Sequence, residues 1–228
     1  MFKKFSAKFF FCLTSLLFIS VLTGCEFGWH TVFFDNFNRA NGVLGSKWEV
    51  ITEANASLQI SDKQALYSTT AAENNTVICY HDEAIESSTF RISTKITTDS
   101  NTADLECVGF AFEPDPGTGK SYSLTFNKSW FAVGSTDQAT DETTWLATLP
   151  VNLSDNTVYS LELNVDGAKI TGCIKDEGGA VLYELKAEGE TSETWSSFIL
   201  LMSNGGNTAL KFDDYRIEAF DAPESCKL

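Results

Sequence analysis

Three kinds of residue in this chain are placed where they could do chemistry. Cys25 stands directly after an uncharged run from Phe9 to Leu22 (FFFCLTSLLFISVL) and two small residues, Thr23 and Gly24, so its thiol is the reactive group at a boundary between apolar leader and polar chain. Carboxylates recur beside aromatics at both ends of the remaining sequence, in Phe34-Asp35-Asn36-Phe37 and Phe212-Asp213-Asp214-Tyr215. Aromatics three apart do not fit a period of two, so each segment is expected to be a bulged strand with both aromatics on one core and the acids turned outward. The third kind is exposed aromatic residues. A sugar ring offers an apolar C–H face that stacks on indole or phenol, and Trp130, Trp145 and Tyr122 are the ligand candidates. Trp130 should point away from the face shared by Phe131 and Val133; Trp145 follows the polar stretch Asp141-Glu142-Thr143-Thr144, which reads as a loop. Tyr122 shares a face with Leu124 and Phe126, so filling the core is its stronger reading, and Trp48 and Trp195 are assigned to the core.

Other pairings are less productive. Two carboxyl groups about 5 Å apart would serve a retaining glycosidase, but the nearest acid pairs, Glu113/Asp115 and Glu188/Glu190, sit among turn residues that hold a catalytic geometry poorly. His30 and His81 lie near no nucleophile-elbow pattern and read as surface residues. Cys79, Cys107, Cys173 and Cys226 have three disulfide connectivities open to them, while Cys107 and Cys173, within strand-like runs, could equally be buried free thiols. Their scattered spacing without partner histidines argues against zinc.

The elements that position these groups begin with a leader. Lys3, Lys4 and Lys8 precede the apolar run, a secretory layout, and the run is shorter than the roughly 20 residues of a spanning helix. Leu22-Thr23-Gly24-Cys25 resembles the lipobox of bacterial lipoproteins. That resemblance implies removal of residues 1–24, a thioether-linked diacylglycerol on Cys25, and a membrane partner engaged through the N-terminal lipid, since two or more acyl chains give stable anchoring. Glu26, where a retained inner-membrane lipoprotein would carry Asp, favours the outer membrane. Residues 25–31 then form a short tether, 32–221 one domain and 222–228 a tail.

Charge narrows the partners. The chain carries −15, and loss of Lys3, Lys4 and Lys8 with the leader takes it to −18. Nucleic acid is excluded as a partner class, because affinity for it rests on cations that neutralise phosphates. Cations and neutral ligands remain, and lipid must supply most of the membrane attachment.

After Thr31 no helical periodicity persists. Phe90, Ile92, Thr94 and Ile96 alternate with polar residues, as do Tyr122, Leu124 and Phe126, and Tyr159 to Val165 runs into an Asp166-Gly167 turn before Ile170 to Ile174 returns. Val108 to Phe112 and Phe198 to Met202 are continuously apolar, as in strands covered on both faces. The predicted fold class is all-β, a two-sheet antiparallel β-sandwich.

The opening from Phe34 to Gly42, through Leu44-Gly45 to Trp48, and the ending from Phe198 to Phe220 resemble bacterial concanavalin A-like jelly-roll domains. The resemblance implies adjacent terminal strands, so that Asp35 and Asp213 could converge with carbonyl oxygens on a structural calcium ion; the alternatives are that they cap bulged N–H groups or face water. Family-16 hydrolases of the superfamily carry Glu-x-Asp-x-x-Glu, which is absent here. The expected function is a membrane-anchored, non-catalytic module binding a glycan or another surface component, with a structural or protein-binding lipoprotein, and a glycoside hydrolase or polysaccharide lyase, as alternatives.

Overall fold

The alternation seen in the sequence is that of strands with one face on a shared interior. A computed structural model describes residues 28–70, 75–98, 105–114, 117–203 and 209–221; the leader, Cys25 and Cys226 lie outside them. Among the described residues the regular elements are all strands: β1 (Gly28–Asp35), β2 (Glu49–Thr52), β3 (Ala56–Ser61), β4 (Gln64–Thr69), β5 (Val77–Tyr80), β6 (Thr89–Thr97), β7 (Leu105–Pro114) and β8 (Lys120–Phe126). They continue as β9 (Trp130–Asp137), β10 (Glu142–Pro150), β11 (Val158–Asp166), β12 (Lys169–Lys175), β13 (Val181–Glu188), β14 (Trp195–Ser203) and β15 (Ala209–Asp221).

They form two antiparallel sheets. One runs β13-β12-β11-β6-β15-β4-β3, with β1 also paired to β15, and the other runs β10-β9-β8-β7-β14-β5-β2. The terminal strands are adjacent, as the jelly-roll resemblance implied. Gly28–Thr31, assigned to a tether in the sequence, lie in β1. The sandwich proper is Thr31–Ala219. Of a second compact unit, Gly28–His30 and Phe220–Asp221 are described: Trp29 meets Phe220 edge-on at 5.5 Å, and His30 Nδ1 lies 3.2 Å from an Asp221 carboxylate oxygen.

The core between the sheets is aromatic. Phe90, Phe110, Phe112, Phe126, Phe131 and Trp195 are fully buried, and Trp48 packs on Phe33 at 5.0 Å and on Tyr215 at 5.2 Å. The ending segment behaves as its spacing demanded. Phe212 and Tyr215 both face the core because β15 shifts register between Asp213 and Arg216, with Asp214 at φ 51. Asp213 and Asp214 lie half-exposed, and Lys95 Nζ donates to Asp214 at 2.6 Å.

The opening segment does not. Asp35 turns inward and is 5% exposed, while Phe34 points out and Phe37 follows at φ 51. The Asp35 carboxylate accepts from both guanidinium nitrogens of Arg39 (2.7 and 2.8 Å), from Trp48 Nε1 (2.8 Å) and from the Phe37 N–H (2.8 Å). Burial alone would raise its pKa, but these donors outweigh it and hold the group below the ordinary carboxylate range. With both oxygens engaged by four donors and a cation beside them, Asp35 does not fit a calcium ion. Among the described residues no cluster of three or more His, Cys, Asp or Glu side chains is arranged to hold a metal.

Two further expectations change. His81 is not a surface residue; it is 9% exposed, stacks on Phe33 at 4.7 Å, and its Nε2 shares a hydrogen bond of 2.9 Å with Ser197 Oγ. Burial pushes its pKa down to about 4, against the raising influence of Asp82 and the Glu83 backbone. Cys79 and Cys173 are buried thiols, and no disulfide joins them to each other or to Cys107.

Because His81 is neutral when folded and protonates more readily when unfolded, the unfolded state binds the extra proton between pH 6.5 and about 4, so stability is full above that window and falls with pH through it. Asp35, with its depressed pKa, removes further stability only at lower pH. Urea midpoints measured from pH 7 to pH 4 should therefore fall. The His81→Gln variant, which cannot titrate, should show a visibly flatter slope over that range.

Candidate functional site

Strand parity on the outer face of the β10-to-β2 sheet builds a groove of about 860 Å³. Its rows can be followed through the pairing register. One row passes from Trp145 on β10 through Gly134, Ser123 and Ala111 to Phe198 and Tyr80. The next passes from Ala132 through Thr125 and Gly109, all buried, to Leu200 and Ile78, which line the groove. Small side chains occupy the middle strands β9, β8 and β7, and large ones stand on either side. The result is a floor of Gly, Ala, Ser and Thr between two walls.

The first wall is a pair of indoles, Trp130 and Trp145, whose rings meet edge to face at 5.4 Å and 67°. Trp130 takes its place from the β8–β9 hairpin. Asn127 Oδ1 accepts from the N–H groups of Ser129 (2.8 Å) and Trp130 (2.9 Å), an Asx turn that fixes where β9 starts. The triplet Asn127-Lys128-Ser129 thus has a positioning role its sequence did not announce.

Trp145 is in strand β10, not in a loop, and is 48% exposed. Ala147 and Leu149 of the same strand face the core opposite Val133 and Phe131, and a regular strand would send Trp145 to that side as well. A register shift between Trp145 and Ala147 inserts Leu146 and reverses the parity, so Trp145 comes out over β9. Gly134 makes room for it there, since a Cβ at that position would lie 3.1 Å from Trp145 Cζ3.

The second wall is the outer half of β14 and β5: Phe198, Leu200, Met202 and Ile78, all half-buried. Phe198 to Met202 was expected to be covered on both faces. In the structure Ile199 and Leu201 enter the core while the alternate residues line the groove. Tyr122, the third aromatic candidate, belongs to the core. It is 3% exposed, stacks on Phe112 at 5.7 Å, and its hydroxyl accepts from the Glu190 N–H at 2.9 Å.

Neutral polar groups in the groove are mostly hydroxyls, with the Asn127 amide and the Cys107 thiol beside them. Thr136 and Thr143 share a hydrogen bond of 2.9 Å, and the Ser121 and Ser123 hydroxyls have no hydrogen-bond partner among the described residues. Asp141 is the charged residue of the lining, which holds no Lys, Arg or His. Past Phe198 lies a hollow of about 370 Å³ lined by Glu49, Tyr80, Asp82 and Glu113 among others. The Tyr80 phenol is pushed up by burial and then by Glu113 and Glu49, the sign of a negative field at this end.

The acid pairs considered for catalysis do not meet here. Glu113 is on β7 rather than in a turn and accepts from Gln138 Nε2 at 2.6 Å, and Asp115 lies outside the described residues. Glu188 closes β13; Glu190 pairs with Lys120 at 3.1 Å, and hydrogen bonds from Thr118 and Lys120 hold its pKa below the ordinary range. None of Glu113, Glu188 and Glu190 lines the groove.

No protein-family model and no curated protein matches the chain. Solved structures do match its fold. The CBM2 module of Lactobacillus casei BL23 phage J-1 evolved Dit aligns with a TM-score of 0.60 at 10% identity, over 87% of this chain and 99% of the module. The carbohydrate-binding module CBM66 of Bacillus subtilis aligns at 0.54 and 12% identity, over 76% and 96%. Basic winged bean lectin, solved with Tn-antigen, aligns at 0.57 and 10% identity, over 86% and 100%. The architecture is therefore the jelly-roll β-sandwich of lectins and carbohydrate-binding modules.

The dependence of Trp145 on Gly134 can be checked directly. A Gly134→Val substitution should displace the indole and remove the circular-dichroism couplet expected from the coupled Trp130–Trp145 pair. Gly134 is itself buried and an added Cβ also meets Ser123 Oγ at 3.1 Å and Thr143 Cγ2 at 3.2 Å, so the substitution should cost about 1–3 kcal/mol of unfolding free energy as well.

Proposed function

We propose that the groove between Trp130 and Trp145 on one side and Phe198 and Leu200 on the other binds carbohydrate, and that the protein is a lipid-anchored binding module without catalytic chemistry of its own. The observation that carries this reading is the pair of indoles held over a floor of small and hydroxylated residues. Indoles supply flat apolar area at low entropic cost, and hydroxyls with no internal partner await a ligand's own hydroxyls. Placement on strands rather than loops holds the surface in shape before a ligand arrives. That several structures of the same fold are named as carbohydrate-binding modules or lectins supports the reading.

Anchoring follows from Cys25 and the leader before it. The thiol carries the lipid, and an acidic chain gains no further hold on an anionic membrane. With β1 beginning at Gly28, Glu26 and Phe27 separate the lipidated residue from the first strand, so the protein works close to its membrane, which the absence of Asp after Cys25 points to as the outer one.

A glycan array probed with the purified protein, followed by calorimetry on the best ligand, tests the binding reading. Trp130→Ala and Trp145→Ala should each weaken binding by tenfold or more with melting temperatures little changed. An array with no positive glycan would sink it. Separately, Cys25→Ser should move the protein from the detergent phase to the aqueous phase and abolish palmitate labelling; retention in the detergent phase would refute the lipid anchor.

A further inference from the structure

Resting on the carbohydrate reading, we infer that the ligand is an uncharged glycan chain held along an internal stretch of roughly four or more sugar units, which crosses the strands from the indole pair to Phe198. The order of strands sets the length. Trp130 is on β9, and the Trp145 indole reaches over Gly134 of the same strand, so both rings lie above β9. Phe198 is on β14, three strand positions away. At ~4.8 Å per position the two aromatic areas stand about 14 Å apart. A sugar unit extends a chain by roughly one such spacing, so a chain that stacks on both areas places one unit on each and about two between them.

The register supplies the path. Trp145, Gly134, Ser123, Ala111 and Phe198 stand opposite one another on successive strands, so their row runs across the sheet. Between its aromatic ends the side chains are small, which leaves space for the middle units. Ser123, with Ser121 two residues before it, presents hydroxyls that have no partner among the described residues to those units' own hydroxyls. A chain laid along the strands would follow one aromatic area and leave the other unused. Laid across them, it has an apolar surface for a C–H face at each end of the stretch.

Neither end of the row is walled off. β10 is an edge strand, and Thr143, Thr144 and Trp145 are exposed on it. At the other end Phe198 lines both the groove and the hollow of about 370 Å³, and the row continues from Phe198 to Tyr80 and Glu49. A chain therefore runs on past both aromatic areas, and the site reads its interior rather than its terminus. Charge selects further. The groove lining holds no Lys, Arg or His, Asp141 stands on it, and Glu49, Asp82 and Glu113 line the hollow. A uronic acid or a sulfated sugar would enter against these carboxylates without a cation to pair with.

The test is a chain-length series on the full-length protein in detergent at fixed ionic strength. Cello-, xylo-, manno- and laminari-oligosaccharides and β-1,4-galactan oligomers of two to six units are titrated, joined by any other neutral linear glycan the array scores, with oligogalacturonates as the charged series. In the neutral series that binds best, affinity should rise at least tenfold from dimer to hexamer, and reducing the hexamer's terminal aldehyde to the alditol should change nothing. Phe198→Ser, checked for an unchanged melting temperature, should weaken the hexamer several-fold and leave the dimer, which stacks on the indoles alone, as it was. If that variant lowers the melting temperature, Leu200→Thr on the same side takes its place. A dimer that binds as tightly as the hexamer, a hexamer indifferent to the second-area substitution, loss of binding in the alditol, or a preference for galacturonate or for branched glycans would each overturn this inference and leave the carbohydrate reading standing. No binding to any sugar would remove both.

Discussion

A strand sends alternate residues to opposite faces, and the β10-to-β2 sheet answers to two demands through that single periodicity. Its inner residues must be large to fill the space against the other sheet, hence Phe110, Phe112, Leu124, Phe126 and Phe131. Its outer residues on the same strands must be small to leave a floor, hence Gly109, Ala111, Ser123, Ala132 and Gly134. Each strand interleaves the two sets, so the groove and the core cannot be varied independently. A one-residue slip of β8 would bring Leu124 into the groove and leave Ser123 in the core.

The Trp145 bulge is the local exception that completes the site. Without the inserted residue, β10 would satisfy only the core, through Ala147 and Leu149, and the groove would lose a wall. Bulges commonly re-aim a side chain beside a functional surface, and here the second condition is Gly134 beneath the indole. The Asp35 cluster works by a different means. A buried carboxylate costs several kcal/mol unless its lone pairs are used. Arg39, Trp48 and Phe37 use them, tying the segment after β1 to an indole whose ring packs against Tyr215. The same acid that looked fit for calcium is thus a structural crosslink.

Legibility in the sequence followed regularity. The sheets, the Asp166-Gly167 turn and the outward direction of Trp130 rest on unbroken alternation, and they stand in the structure, as do the core roles of Trp48 and Trp195. Trp145 was misread as a loop residue because one inserted residue erases the period that would have revealed a strand. The run from Phe198 to Met202 was misread because an apolar outer face looks the same in sequence whether another layer or an open groove lies against it. His81 was misread because its partners, Phe33 and Ser197, are distant in sequence. Asp35 carried a usable signal in Arg39, four residues on, but the aromatic spacing around it pointed outward instead.

The weakness expected of such a site gives the proposed anchor a purpose. A groove preformed on strands saves ordering cost, yet two indoles and a few hydroxyls supply only a handful of kcal/mol, which corresponds to affinities of about millimolar to micromolar. A single freely diffusing copy would leave a polymer soon after meeting it. Copies held on one surface by lipid at Cys25 would face a repetitive glycan together, and effective concentration converts weak single contacts into lasting attachment without any added contact. In that proposal the lipid and the shallow, cation-free groove are complementary parts of one arrangement, in which residence depends on how many sites engage and not on how tightly any one of them holds.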